Sequence, residues 1–207
     1  MPLSLFTICS LTDPAGEPKR LSGHQDLQIL DLDVTGISDA GIDHVSDLPN
    51  LSGLLLDRTQ IGDDALKSLK RLPMPHTISI AETHVTDNGM KHLGGMPSLV
   101  RLTLRGIAIS DVGLAHLEGL TNLRELDLGK TNVTDAGLVH LQRMKELKTL
   151  SLDSLPATDE SLPYLKLLPS LDKLSLYDTK VTTAGIADLK AALPKLVVTT
   201  DATIWKY

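Results

Sequence analysis

The sequence predicts an α/β chain wound as a right-handed β/α solenoid, with a parallel sheet on the concave face and helices on the convex face. Three observations carry this. Leu27, Leu51, Leu99, Leu123, Leu147 and Leu171 are separated by multiples of 24 residues, and the missing mark at Pro75 is followed in register by Ile78 and Ile80. Each unit opens on an L-x-L alternation of period two, a strand signal, and continues into apolar marks three residues apart, a helix signal. Apolar content is 42 % but aromatic content only 2 %, so the core must be aliphatic. One unit of this size cannot bury both of its apolar faces. Stacked at ~4.8 Å, the strands join into one sheet and the helices form the opposite wall.

The 207 residues read as a single domain, 1–207. Residues 1–26 are expected to form a degenerate N-terminal capping repeat. Counting back 24 from Leu27 gives Leu3, with Phe6 and Ile8 on the next marks and Leu21 on the helix mark, while DPAGEP breaks the pattern. This accounts for the apolar start MPLSLFTICSL, which lacks the basic segment of a signal peptide. Seven repeats follow over 27–195, starting at 27, 51, 75, 99, 123, 147 and 171, the last with one extra residue. Residues 196–207, LVVTTDATIWKY, read as a closing strand and C-terminal cap that carries the only Trp. Terminal repeats must hide an open end of the core, so atypical ends are expected.

Within a repeat, the phrase [ST]-D-x-G-L is a helix start. The oxygens of Ser38, Thr86, Ser110, Thr134, Thr158 and Thr182 are placed to cap, each worth roughly 1 kcal/mol. The Asp that follows favours the positive end of the helix dipole. Glycine at the third helical position, as at Gly41, Gly89, Gly113, Gly137 and Gly185, costs ~1 kcal/mol relative to Ala, which points to close approach of neighbouring turns. Pro163 lacks the amide its helix needs and should delay or distort repeat six. Pro156 in the loop of that repeat, and Pro73 and Pro75 before repeat three, mark further irregularities.

The consensus L-x-x-L-x-L-x-x-T-x-[IV]-[ST]-D-x-G-[LI]-x-x-L-x-x-[LM]-x-x resembles the leucine-rich repeat family, whose signature is L-x-x-L-x-L-x-x-N/C-x-L. The resemblance implies the horseshoe form of the solenoid. Thr35, Thr59, Thr83, Thr131 and Thr179 stand where the family has Asn or Cys, and Ile107 and Leu155 take that place in repeats four and six. The second half of the unit most resembles the cysteine-containing subtype of F-box proteins and similar bacterial repeats, without the cysteine. That subtype implies an alternative function, the substrate-recognition component of a ubiquitin ligase. It would require an F-box segment, for which residues 1–26 are too short and too strand-like. A fragment of a larger receptor or enzyme is a third reading.

Chemistry in this chain has little sequence support. The net charge of −6 gives no basic footprint for nucleic acid or an anionic membrane. No apolar run approaches the ~20 residues of a membrane span. The single cysteine, Cys9, allows no internal disulfide and favours a reducing, cytoplasmic setting. There is no phosphate-binding glycine loop, HExxH, CxxC or GxSxG, and no cofactor is expected. His44, His92, His116 and His140 share one repeat position and should form a row on the convex wall. Adjacent helices lie 8–10 Å apart, too far for several rings to share a metal, so they read as surface residues of the repeat. Glu82, His84 and Asp87 are close in sequence but read as loop and helix-start positions.

The expected function is therefore non-catalytic binding of a protein or peptide by a monomer. In L-x-x-L-x-L-x the third, fifth and seventh residues face away from the core. They place Asp31, Asp33 and Asp57 at an acidic end, Arg101 and Arg105 in a basic band, and Glu125, Asp127 and Asp153 in a second acidic band. Lys173 and a run of small hydroxyl residues share the face. Leu55 and Tyr177, with Ile29, are the apolar anchors, and Lys130 lies just beyond the strand of repeat five. The simpler reading is that Arg101, Arg105, Glu125 and Asp127 only neutralise one another across strands. Nine strands at ~4.8 Å span roughly 40 Å, giving a face of about 650 Å², near the ~800 Å² one partner gives to a standard interface.

Overall fold

The computed structural model describes residues 5–7 and 25–201. The chain alternates strand and helix: β1 Leu5–Thr7, β2 Ile29–Asp31, α1 Asp39–Val45, β3 Gly53–Leu55, α2 Asp63–Leu69, β4 Thr77–Ser79 and α3 Asp87–Leu93. It continues with β5 Arg101–Thr103, α4 Asp111–Ala115, β6 Glu125–Asp127, a 3₁₀ turn Gly137–Leu141 and β7 Thr149–Ser151. A second 3₁₀ turn Asp159–Ser161 leads into α5 Leu162–Leu165, β8 Lys173–Ser175, α6 Thr183–Ala192 and β9 Val197–Thr199. The strands form one parallel sheet in the order β1 to β9. Each strand is offset from its neighbour by one repeat, from Leu5↔Ile29 to Ser175↔Thr199. The expected features at Leu3, Ile8, Cys9, Leu21, the DPAGEP break and Trp205 lie outside the described residues.

The core between sheet and helices is aliphatic along its length. Repeat five shows a full set, with Leu123, Leu126, Leu128, Val133, Leu138, Leu141 and Met144 all buried. After each of β2 to β8 the chain turns sharply through a left-handed residue: Val34, Arg58, Glu82, Lys130, Ser154 and Asp178 have φ of 54–57°, and Gly106 has 71°. A left-handed non-glycine residue costs roughly 1–2 kcal/mol, and an extended hydrogen-bond ladder offsets it. The amides of Val34, Arg58, Glu82, Gly106, Lys130 and Ser154 each donate to the carbonyl of the residue just before the left-handed position of the next repeat, at 2.7–2.8 Å. Inside the turn, the Thr35, Thr59, Thr83, Thr131 and Thr179 hydroxyls donate to the carbonyl three residues back, at 2.6–2.9 Å. Threonine thus closes the turn by its own hydrogen bond.

The helix starts differ from expectation. Thr86, Ser110, Thr158 and Thr182 do cap. Ser38 makes no side-chain cap bond, and Thr134 precedes a 3₁₀ turn whose N-cap position is Ala136. With so few residues per helix, hardly any i→i+4 bonds are at stake, and the tighter 3₁₀ form competes. In repeat six Pro163 falls in the first turn of α5, behind the 3₁₀ turn Asp159–Ser161. The helix is delayed because proline is tolerated only at its start.

The helix-start Asp, expected to act through the helix dipole, is chiefly a clamp between repeats. Asp63 accepts from the Thr86 amide (2.8 Å) and hydroxyl (2.7 Å), and Asp87 from the Ser110 amide (2.7 Å) and hydroxyl (2.6 Å). Asp111 does the same to Thr134, Asp135 to Thr158 and Asp159 to Thr182. Asp39 reaches only the Gly62 amide. These bonds hold the Asp159 carboxyl below its ordinary pKa. Among the described residues no helix is long and apolar enough to cross a membrane.

Candidate functional site

The outer face of the sheet forms an open groove of about 880 Å³, lined from Ile29 on β2 to Thr199 on β9. The strands present three columns of side chains, and these are not equally accessible. The column that includes Thr77, Arg101, Glu125, Thr149 and Lys173 is open, with Arg101 and Lys173 exposed and the other three half-buried. The middle column forms the floor: Ser79, Thr103, Asp127, Ser151 and Ser175 are all buried, while Asp31 and Leu55 at its N-terminal end are half-buried. The third column holds Asp33 and Asp57, half-buried, then Ala81, Arg105, Gly129, Asp153 and finally the exposed Tyr177. Lys130 is exposed in the turn beyond β6.

The third-column carboxylates knit the sheet together. Asp33 accepts from the Asp57 amide (2.7 Å), Asp57 from the Ala81 amide (2.7 Å), and Asp153 from the Tyr177 amide (3.0 Å). Ser79 and Ser175 also donate to Asp57 (2.6 Å) and Asp153 (2.5 Å). Asp31 and Asp127 instead accept from amides two residues on, those of Asp33 (3.0 Å) and Gly129 (2.8 Å). Burial raises the Asp33 pKa to about 6, helped by the neighbouring charges of Asp57 and Asp31 against the Asp57 amide and Arg58. Burial raises Asp57 as well.

Arg105 is the centre of this network. Its Nη1 lies 3.7 Å from Asp127 Oδ1 and 3.5 Å from Asp153 Oδ2, two carboxylates whose side chains are 3 % and 5 % exposed. The guanidinium passes across β6 because residue 129 is glycine; a Cβ there would sit 2.2 Å from Arg105 Nη1. The same glycine leaves the Ser151 Oγ, buried and unpartnered, without the acceptor that Asp57 and Asp153 provide to Ser79 and Ser175. Arg105 thus offsets one of the two charges of Asp127 and Asp153. Arg101 differs: its Nε donates to Thr77 Oγ1 at 3.1 Å, and it stands beside Glu125 in register. Lys173 and Thr149 were legible as outward-facing but not as belonging to the most open column among the described residues; the signal was their shared repeat position with Arg101.

The histidine row lies on the opposite wall. His140 Nδ1 meets the Glu118 carboxylate, and His44 and His116 are exposed. His92 Nδ1 is buried without a partner, and burial together with Lys70, Lys91 and Lys67 lowers its pKa. Among the described residues no three His, Cys, Asp or Glu side chains are placed to share a metal ion.

No protein-family model matches the chain, and no curated protein sequence matches it. Solved structures do. An internalin C2 from Listeria monocytogenes is 27 % identical, over 84 % of this chain and 71 % of that one, with a TM-score of 0.69. A second internalin of that organism, inlF, is 21 % identical over 94 % of this chain, with a TM-score of 0.62; the match spans 59 % of its length. The second likeness shows the fold alone. Together with the sheet they establish a leucine-rich-repeat β/α solenoid, and the first supports a protein-binding repeat module. They lend no support to the F-box-associated subtype or the ubiquitin-ligase alternative.

Proposed function

We propose that the chain is a non-catalytic binding module that takes a protein or peptide partner in the concave groove, as a monomer and without a cofactor, nucleic acid or membrane. The observation that carries this is the division of the face. The floor is hydrogen-bonded into a rigid sheet, whereas Arg101 and Lys173 line the groove, exposed and without a carboxylate partner among the described residues. A rigid scaffold presenting uncommitted charges loses little entropy on association. Within the proposed site, Arg101, Glu125, Leu55 and Tyr177 keep their expected roles as contacts, joined by Lys173 and Thr149. Arg105, Asp127 and Asp153 support the floor.

Site-specific photo-cross-linking in the native host tests the reading. A photoreactive residue at Thr149, in the groove, is compared with one at Ala187, exposed on α6. Discrete adducts from Thr149, absent from Ala187, are expected and can be identified by mass spectrometry. Adducts from Ala187 alone would place the partner on the convex wall.

A further inference from the structure

Resting on the groove reading above, we infer that β2 to β4 dock an extended segment of a partner protein that carries an aliphatic side chain and, two residues away, a lysine or arginine. The aliphatic contact is local to this end. Ile29 and Leu55 line the groove, half-buried, and neither belongs to the hydrophobic core. Ile29 lies across Gly53: a Cβ on residue 53 would stand 3.2 Å from Ile29 Cγ1. Ile29, Gly53 and Leu55 therefore make one apolar shelf on the groove side of the sheet. In β4 to β8 the positions equivalent to Ile29 and Leu55 hold only hydroxyl-bearing or charged residues.

Carboxylates flank the shelf. Asp31 is the register partner of Leu55, and Asp33 and Asp57 line the groove beyond it. The outward positions of β2 to β4 bring no Lys, Arg or His, and at the rim Arg58 and Glu82 offset one another. This end is therefore net negative, whereas on β5 to β8 Arg101, Arg105 and Lys173 balance Glu125, Asp127 and Asp153. Asp31 and Asp33 accept the Asp33 and Asp57 amides at Oδ1, and Asp57 accepts from Ser79 and Ala81 at Oδ1. Their Oδ2 atoms carry no hydrogen bond among the described residues, so a cation can take charge-assisted ones. Leu55 and Asp57 are two residues apart, about 7 Å in extended chain, which is also the spacing of same-face side chains in an extended partner. Arg101, bonded to Thr77, bounds the patch and disfavours a cation further along the groove.

The probe is a phage library of random dodecapeptides, panned at low salt and pH 7.5 against the unaltered chain, I29T/L55S, D33N/D57N and R101E/K173E. Thr and Ser are the residues β4 carries at the first pair of positions, Asn retains the Oδ1 acceptor, and melting temperatures confirm folding. Enriched peptides are expected to share an aliphatic residue and a Lys or Arg two positions apart. I29T/L55S and D33N/D57N should each recover these clones at least tenfold less often. In a synthetic copy of an enriched peptide, Ser for the aliphatic residue or Glu for the basic one should weaken binding to the unaltered chain at least tenfold, read by fluorescence anisotropy. That reading decides even if a variant unfolds. Peptides that lack the pair, or that only R101E/K173E releases, overturn the assignment and leave the groove reading intact. No enrichment, or enrichment that no variant reduces, removes both.

Discussion

Gly113 lies against the Asp87 carboxylate of the preceding repeat: a Cβ on Gly113 would stand 2.2 Å from Asp87 Oδ1, the oxygen that accepts the Ser110 amide. Gly137 and Gly185 stand in the same relation to Asp111 and Asp159, at 2.1 and 2.4 Å. The glycine of the repeat phrase therefore makes room for the clamp of the repeat before it.

Gly113→Ala should destabilise the chain. The gain in helix propensity is ~1 kcal/mol, and overpacking against a carboxylate held by two hydrogen bonds costs typically 1–3 kcal/mol. A net loss of about 1 kcal/mol, read as a lower urea midpoint, is expected. A higher midpoint would show that the clamp yields freely.

Asp87→Ala removes both acceptor bonds and leaves the Ser110 amide unanswered, a loss of about 1.5–3 kcal/mol. In that background Gly113→Ala should cost nothing or stabilise slightly, because the atom it would strike is gone. A double-mutant cycle checks this; additivity of the two changes would mean that glycine and Asp are unrelated.

Arg101 and Arg105 should separate cleanly in stability. Arg105→Ala leaves Asp127 and Asp153 buried without their cation, and breaking such a pair costs several kcal/mol. Arg105 is itself 27 % exposed, which reduces this to about 2–3 kcal/mol. Arg101→Ala, at an exposed site, should stay within about 0.5 kcal/mol. Equal effects in denaturant titrations would contradict the division of the face into floor and open column.

The pH dependence has a defined sign. The folded Asp33 carboxyl, at about 6 against an ordinary 3.8, holds its proton more tightly than the unfolded one. Its contribution is full below about pH 4 and is lost as pH rises through about 6. Asp57 works in the same direction. Asp159, lowered by the Thr182 amide, works oppositely and loses its contribution on acidification. Asp33→Asn keeps the acceptor for the Asp57 amide and removes the charge. Its melting temperature relative to the unaltered chain should therefore rise between pH 4.5 and 7.5; a constant difference would show that Asp33 ionises normally.

The repeat register made the strands, the core and the outer wall legible, because Leu126, Leu128 and Leu138 can be inward only in one winding. The clamp was also present in the sequence, since Asp111 and Thr134 occupy adjacent consensus positions in consecutive repeats. It was hidden because a capping and dipole role explains the same residues within one repeat. The buried state of Asp127 and Asp153 was not legible. Period-two alternation tells which side of a sheet a residue occupies, but not that an arginine two strands away reaches over a glycine to cover it.

The central claim, that the open column of the groove holds the partner, is tested most directly by the affinity of the cross-linked partner for R101E/K173E, with K67E/K91E on the convex wall as control. The groove variant should bind at least tenfold more weakly, about 1.4 kcal/mol, with an unchanged melting temperature, while the control binds normally. Equal affinity of the groove variant and the unaltered chain would contradict the account.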